Sequence, residues 1–146
     1  MNGEPGRFDR LSWCDPGPDE SYPDRCAAQT VGRWTSTLAQ QHHPCVRPQE
    51  HGAHEKARWL RLADGAGAGF EILFPDPLGF AARLHHDADL TEAETLAELT
   101  ARDRAGIHID AAMRGPGAAA CGPDPLPQYR VGPGTYAFTW LLRGGG

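Results

Sequence analysis

The 146 residues include 14 basic and 19 acidic side chains, for a net charge of -5, with 40% hydrophobic and 8% aromatic content. Gly (18) and Pro (13) together make about a fifth of the chain, against an average usage of roughly 12%. So many breakers exclude a long-helix bundle or coiled coil, while four Trp argue against a wholly disordered chain.

The charge pattern narrows the partners. Lys56 is the single lysine, and no basic run of five occurs, so the footprint of a nucleic-acid binder is missing. No apolar stretch approaches the roughly 18 residues of a membrane helix. The first ten residues have no apolar core and read as lacking a signal peptide. The expectation is one soluble, cytoplasmic domain. Cys14, Cys26, Cys45 and Cys121 show no C-x-x-C spacing and are too sparse for a disulfide scaffold, so they read as reduced thiols.

In chain order, short apolar runs alternate with Gly, Pro and Asp clusters, as in an all-β sandwich. Phe8 to Trp13 is a first strand, which Asp15-Pro16-Gly17 should stop. Thr30 to Leu38, with β-branched residues and Trp34, is a second. Ala57 to Leu62 alternates, with Ala57, Trp59 and Arg61 on one face and Arg58, Leu60 and Leu62 on the other. Phe70 to Phe74 is a buried strand that Pro75 and Pro77 should end, and Gly79 to Leu84 is another. Thr91 followed by Glu94 is a capping-box pattern, and Ala93, Leu96 and Leu99 make a narrow apolar face. One short helix is therefore predicted before Gly106. Ile107 to Asp110 is a strand. Gly115 to Pro127 is a loop. In Thr135 to Leu142, the clearest strand, Tyr136, Phe138, Trp140 and Leu142 share a face. Gly144 to Gly146 offers no side chains to pack.

Few constellations carry chemistry. His42, His43, His51 and His54 surround Cys45, and a metal reading would take His51, His54 and Cys45. Pro44 and Pro48 place these residues in a loop, so solvated loop histidines are the favoured reading. Asp19, Glu20 and Asp24 could be paired carboxylates, but Asp and Pro together more simply make turns. No serine lies in G-x-S-x-G. Cys121, in Ala120-Cys121-Gly122-Pro123, has no neighbouring His to activate it. Gly115-Pro116-Gly117 is followed by no helix with Lys or Ser/Thr and is not a phosphate cradle.

Four strings carry a resemblance. Trp13 with Gly17-Pro18-Asp19-Glu20-Ser21-Tyr22-Pro23-Asp24-Arg25 is similar to a W-x-G-x-GP-x-E-x-YPDR stretch. Val46-Arg47-Pro48-Gln49-Glu50-His51-Gly52 is similar to YVRPQENG. Ile107-His108-Ile109-Asp110 is followed by Arg114-Gly115-Pro116-Gly117. Cys121-Gly122-Pro123-Asp124 is followed by Leu126-Pro127-Gln128-Tyr129-Arg130-Val131. In this order they resemble the C-terminal segment (small chain, domain 5) of the β-galactosidases of glycoside hydrolase family 2, over Phe8 to Arg143. Cys14, Cys45 and His51 depart from the aromatic, Tyr and Asn residues usual there.

The resemblance implies a mainly β fold: part of an antiparallel β-supersandwich (galactose mutarotase-like) with one short helix. It implies a disordered tail over 1–7, the supersandwich segment over 8–143 and a flexible tail over 144–146. It also implies retaining hydrolysis of terminal β-D-galactosides such as lactose by two Glu residues. Those residues and the family's Mg2+ site belong to an upstream barrel, so no catalytic residue, metal ligand or cofactor is assigned to this chain. Cys121 falls at or next to the loop position where relatives stack an aromatic on sugar, which makes it the one substrate-binding candidate. Half a supersandwich leaves sheet edges and an apolar face to cover. The chain is thus expected to be a fragment or a subunit docking on a large chain within an oligomer, and inactive alone. A free-standing carbohydrate-binding or scaffold module is the alternative reading, and a metal-binding protein built on the loop histidines a third.

Overall fold

The computed structural model describes residues 8–115 and 122–145. Its strands are β1 (Arg10–Pro16), β2 (Val31–Thr37), β3 (Ala53–Ala63), β4 (Gly69–Arg83), β5 (Gly106–Asp110) and β6 (Leu141–Gly145). They form one antiparallel sheet in the order β2-β1-β3-β4-β5, with β6 also on β4. The outer edge of β4 is shared. β6 pairs Gly69 to Leu73, and β5 pairs Gly79 to Arg83. One short helix, α1 (Asp87–Glu92), accompanies the sheet, N-terminal to the place the sequence marked for it. No helix among the described residues is long and apolar enough to cross a membrane.

The core follows from cross-strand pairing of period-2 apolar residues. Leu11 and Trp13 of β1 pair with Leu62 and Leu60 of β3, which in turn face Phe70 and Ile72 of β4. Leu11, Trp13, Leu60, Leu62 and Ile72 are all buried, and the layer continues through Phe80, Leu78 and Leu38. Each such side chain contributes about 1.5–3 kcal/mol on burial. Across the first three strands and the start of β4, the opposite face is polar and open. Ser12, Arg33, Thr35, Trp59, Arg61 and Glu71 line a shallow groove there.

Several boundaries differ from the sequence reading. Ala57 is buried with Leu60 and Leu62 rather than facing out with Trp59 and Arg61. A bulge accounts for this. The β3–β4 register shifts between His54 and Ala57 and again between Ala57 and Trp59, and Lys56 takes a left-handed φ of 56°. Such an irregularity moves a side chain to the other face. Pro75 and Pro77 do not end a strand, because β4 runs through both. Between Leu78 and Leu73 the strand takes five steps while β3 takes two, from Ala57 to Trp59. The prolines sit in the surplus, exposed, where no ladder donor is required. β1 likewise runs to Pro16, since its pairing with β3 stops at Cys14.

The helix starts earlier than Thr91 and ends at Glu92. The Asp89 carboxylate accepts the His86 N–H at 2.8 Å, and Arg102 clamps the same carboxylate at 2.6 and 2.7 Å. Leu96–Glu98 is only a 3₁₀ turn. The C-terminal strand begins at Leu141 rather than Thr135 and takes in Gly144 and Gly145, which were expected to fray. Tyr136, Phe138 and Trp140 lie outside it, 49%, 48% and 43% exposed.

Candidate functional site

Two loops converge where β1, β3 and β4 meet. The first carries Gly17 to Arg25, the second the stretch from the 3₁₀ turn Leu38–Gln41 to Gly52. Glu20 joins them. Its carboxylate accepts the Gly52 N–H at 2.8 Å and the Tyr22 hydroxyl at 3.5 Å, pairs with Arg25, and has His43 Nδ1 at 3.6 Å. Burial alone would raise the Glu20 pKa, but the Gly52 N–H and the neighbouring His43 and Arg25 hold it below its ordinary value. Gly52 has φ +70°, and a Cβ there would stand 2.7 Å from the Gln41 carbonyl oxygen. Only glycine meets both conditions without strain.

Behind this junction lies a sealed polar network. Asp15 and His54 are 0% and 1% exposed. Asp15 Oδ2 faces His54 Nδ1 at 2.8 Å, and Asp15 Oδ1 accepts the Trp13 indole N–H at 2.9 Å. His54 Nε2 lies 2.7 Å from Gln41 Oε1, and its ring stacks on Phe80 at 4.8 Å. Burial raises the Asp15 pKa against the opposing pull of His54, Trp13 and Trp34. An Asp–His dyad can serve a nucleophile. Here the far nitrogen faces an amide oxygen in the core, so the dyad holds the loops together.

A third feature is a convergence of imidazoles. Ligand atoms of His42, His51 and His85 all lie within 4.8 Å of one another. His42 Nδ1 and His51 Nε2 are 3.1 Å apart, and His51 Nδ1 is 3.0 Å from the Gln49 carbonyl oxygen. Burial lowers the pKa of all three, with the neighbouring histidines or Arg83 adding to it. Arg83, 3% exposed, is held by Glu50 at 2.6 Å and Asp87 at 3.1 Å.

Glu55 and Asp110 make a last electrostatic feature. Both approach Gly79, whose hypothetical Cβ would lie 3.4 Å from Asp110 Cβ and 3.5 Å from Glu55 Oε1. Burial first, and the Asp110 charge second, push Glu55 up to about 7, while burial raises Asp110.

The structure overturns the solvated-loop reading for two histidines, since His51 and His54 are 2% and 1% exposed. It does not unite His51, His54 and Cys45 either. His54 belongs to the Asp15 network, and the imidazoles meeting His51 are His42 and His85. His85 was not singled out in the sequence. It lies 34 positions from His51 and arrives only through the β3–β4 pairing. Glu20 is engaged in loop closure rather than in a free carboxylate pair. Cys14, Cys26 and Cys45 are free thiols. The sugar-stacking candidate Cys121 lies outside the described residues.

The family model described as beta galactosidase small chain matches residues 3–142. A beta-galactosidase from an Arthrobacter species is 33% identical over 144 residues, 95% of this chain and 14% of that protein. Those of Kluyveromyces lactis and Photobacterium profundum are 29% and 28% identical, over 92% and 91% of this chain and 13% and 12% of theirs. The chain thus spans about a seventh of the Arthrobacter relative's length. The loops that Glu20 joins carry two of the strings on which the resemblance rested, and the match runs past both to the last strand: the chain belongs to the beta galactosidase small chain family.

Proposed function

We propose that this chain is the C-terminal β-sandwich part of a family-2 β-galactosidase that hydrolyses terminal β-D-galactosides such as lactose in the cytoplasm. The observation that carries the reading is the family match over residues 3–142, joined to relatives seven or more times longer. Two Glu residues of the barrel perform the retaining displacement, one as acid/base and one as nucleophile. The barrel's Mg2+ stays with them. The small-chain part shapes the active-site mouth and supports assembly. By the resemblance, Cys121 falls at or next to the sugar-stacking position, where a thiol offers less area than an aromatic ring, so the non-galactose sugar would bind more weakly or the acceptor preference would differ.

The exposed apolar C-terminal stretch supports a docked role. Tyr136, Phe138, Trp140, Leu141 and Leu142 are all at least 43% exposed, an uncovered run of the kind that marks a contact surface. The experiment is a chromogenic galactoside assay. The purified chain shows no turnover above buffer, and co-expression with the barrel-bearing remainder of its enzyme restores hydrolysis. Turnover by the chain alone, or full activity of the remainder without it, overturns the proposal.

A further inference from the structure

The three converging histidines come from the two ends of one loop and from the chain just past β4. His42 follows the 3₁₀ turn Leu38–Gln41, His51 precedes β3, and His85 stands two residues beyond β4. Ring centroids of His42 and His51 are 4.8 Å apart at 89°, and those of His42 and His85 are 4.9 Å apart at 58°. We propose that His42, His51 and His85 form a three-imidazole site for a divalent first-row transition metal, Zn2+ foremost.

The donor set fits that ion. Three neutral imidazoles suit borderline metals such as Zn2+ rather than Mg2+ or Ca2+, which prefer oxygen. Zn–N bonds of 2.0–2.1 Å place tetrahedral ligand nitrogens about 3.3 Å apart. The His42–His51 pair already stands at 3.1 Å, and His85 completes the group within 4.8 Å. A hydrogen bond between His42 and His51 uses two rings and leaves the approach of a third unexplained.

Outer contacts prepare the ligands. The Gln49 carbonyl is an acceptor only, so His51 Nδ1 carries the proton and Nε2 presents its lone pair to the cluster. An outer acceptor of this kind orients metal-bound histidines in general. A pocket of about 160 Å³ opens beside the cluster, walled by Leu38, Ala39, Leu84 and Ala101. It has room for an ion and a water in the fourth position. Arg83 also lines the pocket, but Glu50 and Asp87 pair its charge. The bound ion would tie the two ends of the second loop to the end of β4, which gives it a structural role. This site stands or falls apart from the β-galactosidase reading.

The test uses the full chain, free of any histidine tag, stripped with chelator and titrated with ZnCl2 by calorimetry. One equivalent binds, and Co2+ in its place gives the intense visible bands of four-coordinate nitrogen ligation. His42→Ala, at a half-buried ring, and the conservative His85→Gln each weaken binding about tenfold or more. His43→Ala, beside the cluster but outside it, leaves binding unchanged. No stoichiometric Zn2+ binding by the wild-type chain would overturn the proposal. So would equal affinity in the His42→Ala and His85→Gln variants, or a faint six-coordinate Co2+ spectrum.

Discussion

Glu20 and Gly52, 32 residues apart, are joined by a 2.8 Å hydrogen bond from the glycine N–H to the carboxylate. That bond closes two loops against each other, and it depends on a left-handed backbone that only glycine adopts freely. Gly52→Ala adds a Cβ 2.7 Å from the Gln41 carbonyl oxygen at φ +70°. The expected loss is about 1–3 kcal/mol, read as a lower urea midpoint with unchanged slope. An unchanged midpoint would show that the junction relaxes freely.

Asp15→Ala leaves the Trp13 indole N–H and His54 Nδ1 facing a cavity. Both now contact the Asp15 carboxylate at 2.9 and 2.8 Å. Leaving a buried donor without its partner costs roughly 1–3 kcal/mol for each group. The variant should melt far below the wild type by near-ultraviolet circular dichroism, which follows Trp13 packing. A small loss would mean that water replaces the carboxylate.

Glu55 sets a pH dependence. Its carboxyl is raised to about 7 by burial and by Asp110, so the folded chain binds this proton more tightly than the unfolded one. Stability is therefore fullest near and below pH 4.5 as far as this group is concerned, and falls as pH rises through about 7. Glu55→Gln removes the fall. At pH 8 the variant should exceed the wild type by about 1–2 kcal/mol, discounted for partial exposure, with the gap closing toward pH 4.5. Parallel stability curves across that range would refute the assignment.

Phe138→Ser with Trp140→Ser tests the exposed C-terminal stretch. Both rings are nearly half exposed in the chain alone, so its own stability should change by under about 1 kcal/mol. Reconstitution with the barrel-bearing remainder should weaken by about tenfold or more, since aromatic anchors dominate docking surfaces. A large stability loss with intact reconstitution would place these rings in the chain's own core.

Much of the sheet is legible in the sequence because alternation follows directly from burial of one face. The pairs Leu11–Leu62 and Trp13–Leu60 arise from strands that the sequence marks clearly. Features set by pairing partners are not legible. Ala57 changes face because a bulge intervenes, and β4 passes through two prolines because its ladder pauses there. Residues Thr135 to Trp140 alternate well. Continued from Leu141 opposite Leu73, Ala137 to Trp140 would face Phe74 to Pro77, where β4 has left the ladder. The histidine cluster is hidden for the same reason, since His85 joins the loop histidines only when β3 and β4 pair. The Gly52 turn, by contrast, is one of the strings that carried the resemblance, and its role is plain once φ is known.

The surplus stretch around Pro75–Pro77 divides β4 into two ladders with independent registers, one holding β6 and the other β5. Residues could be gained or lost there without disturbing either side, much as an expansion joint absorbs a change in length. A single deletion inside Gly69 to Leu73 has no such refuge. Deleting Phe70, for example, would turn Ile72 out toward water and bring Glu71 into the inward place of the lost ring.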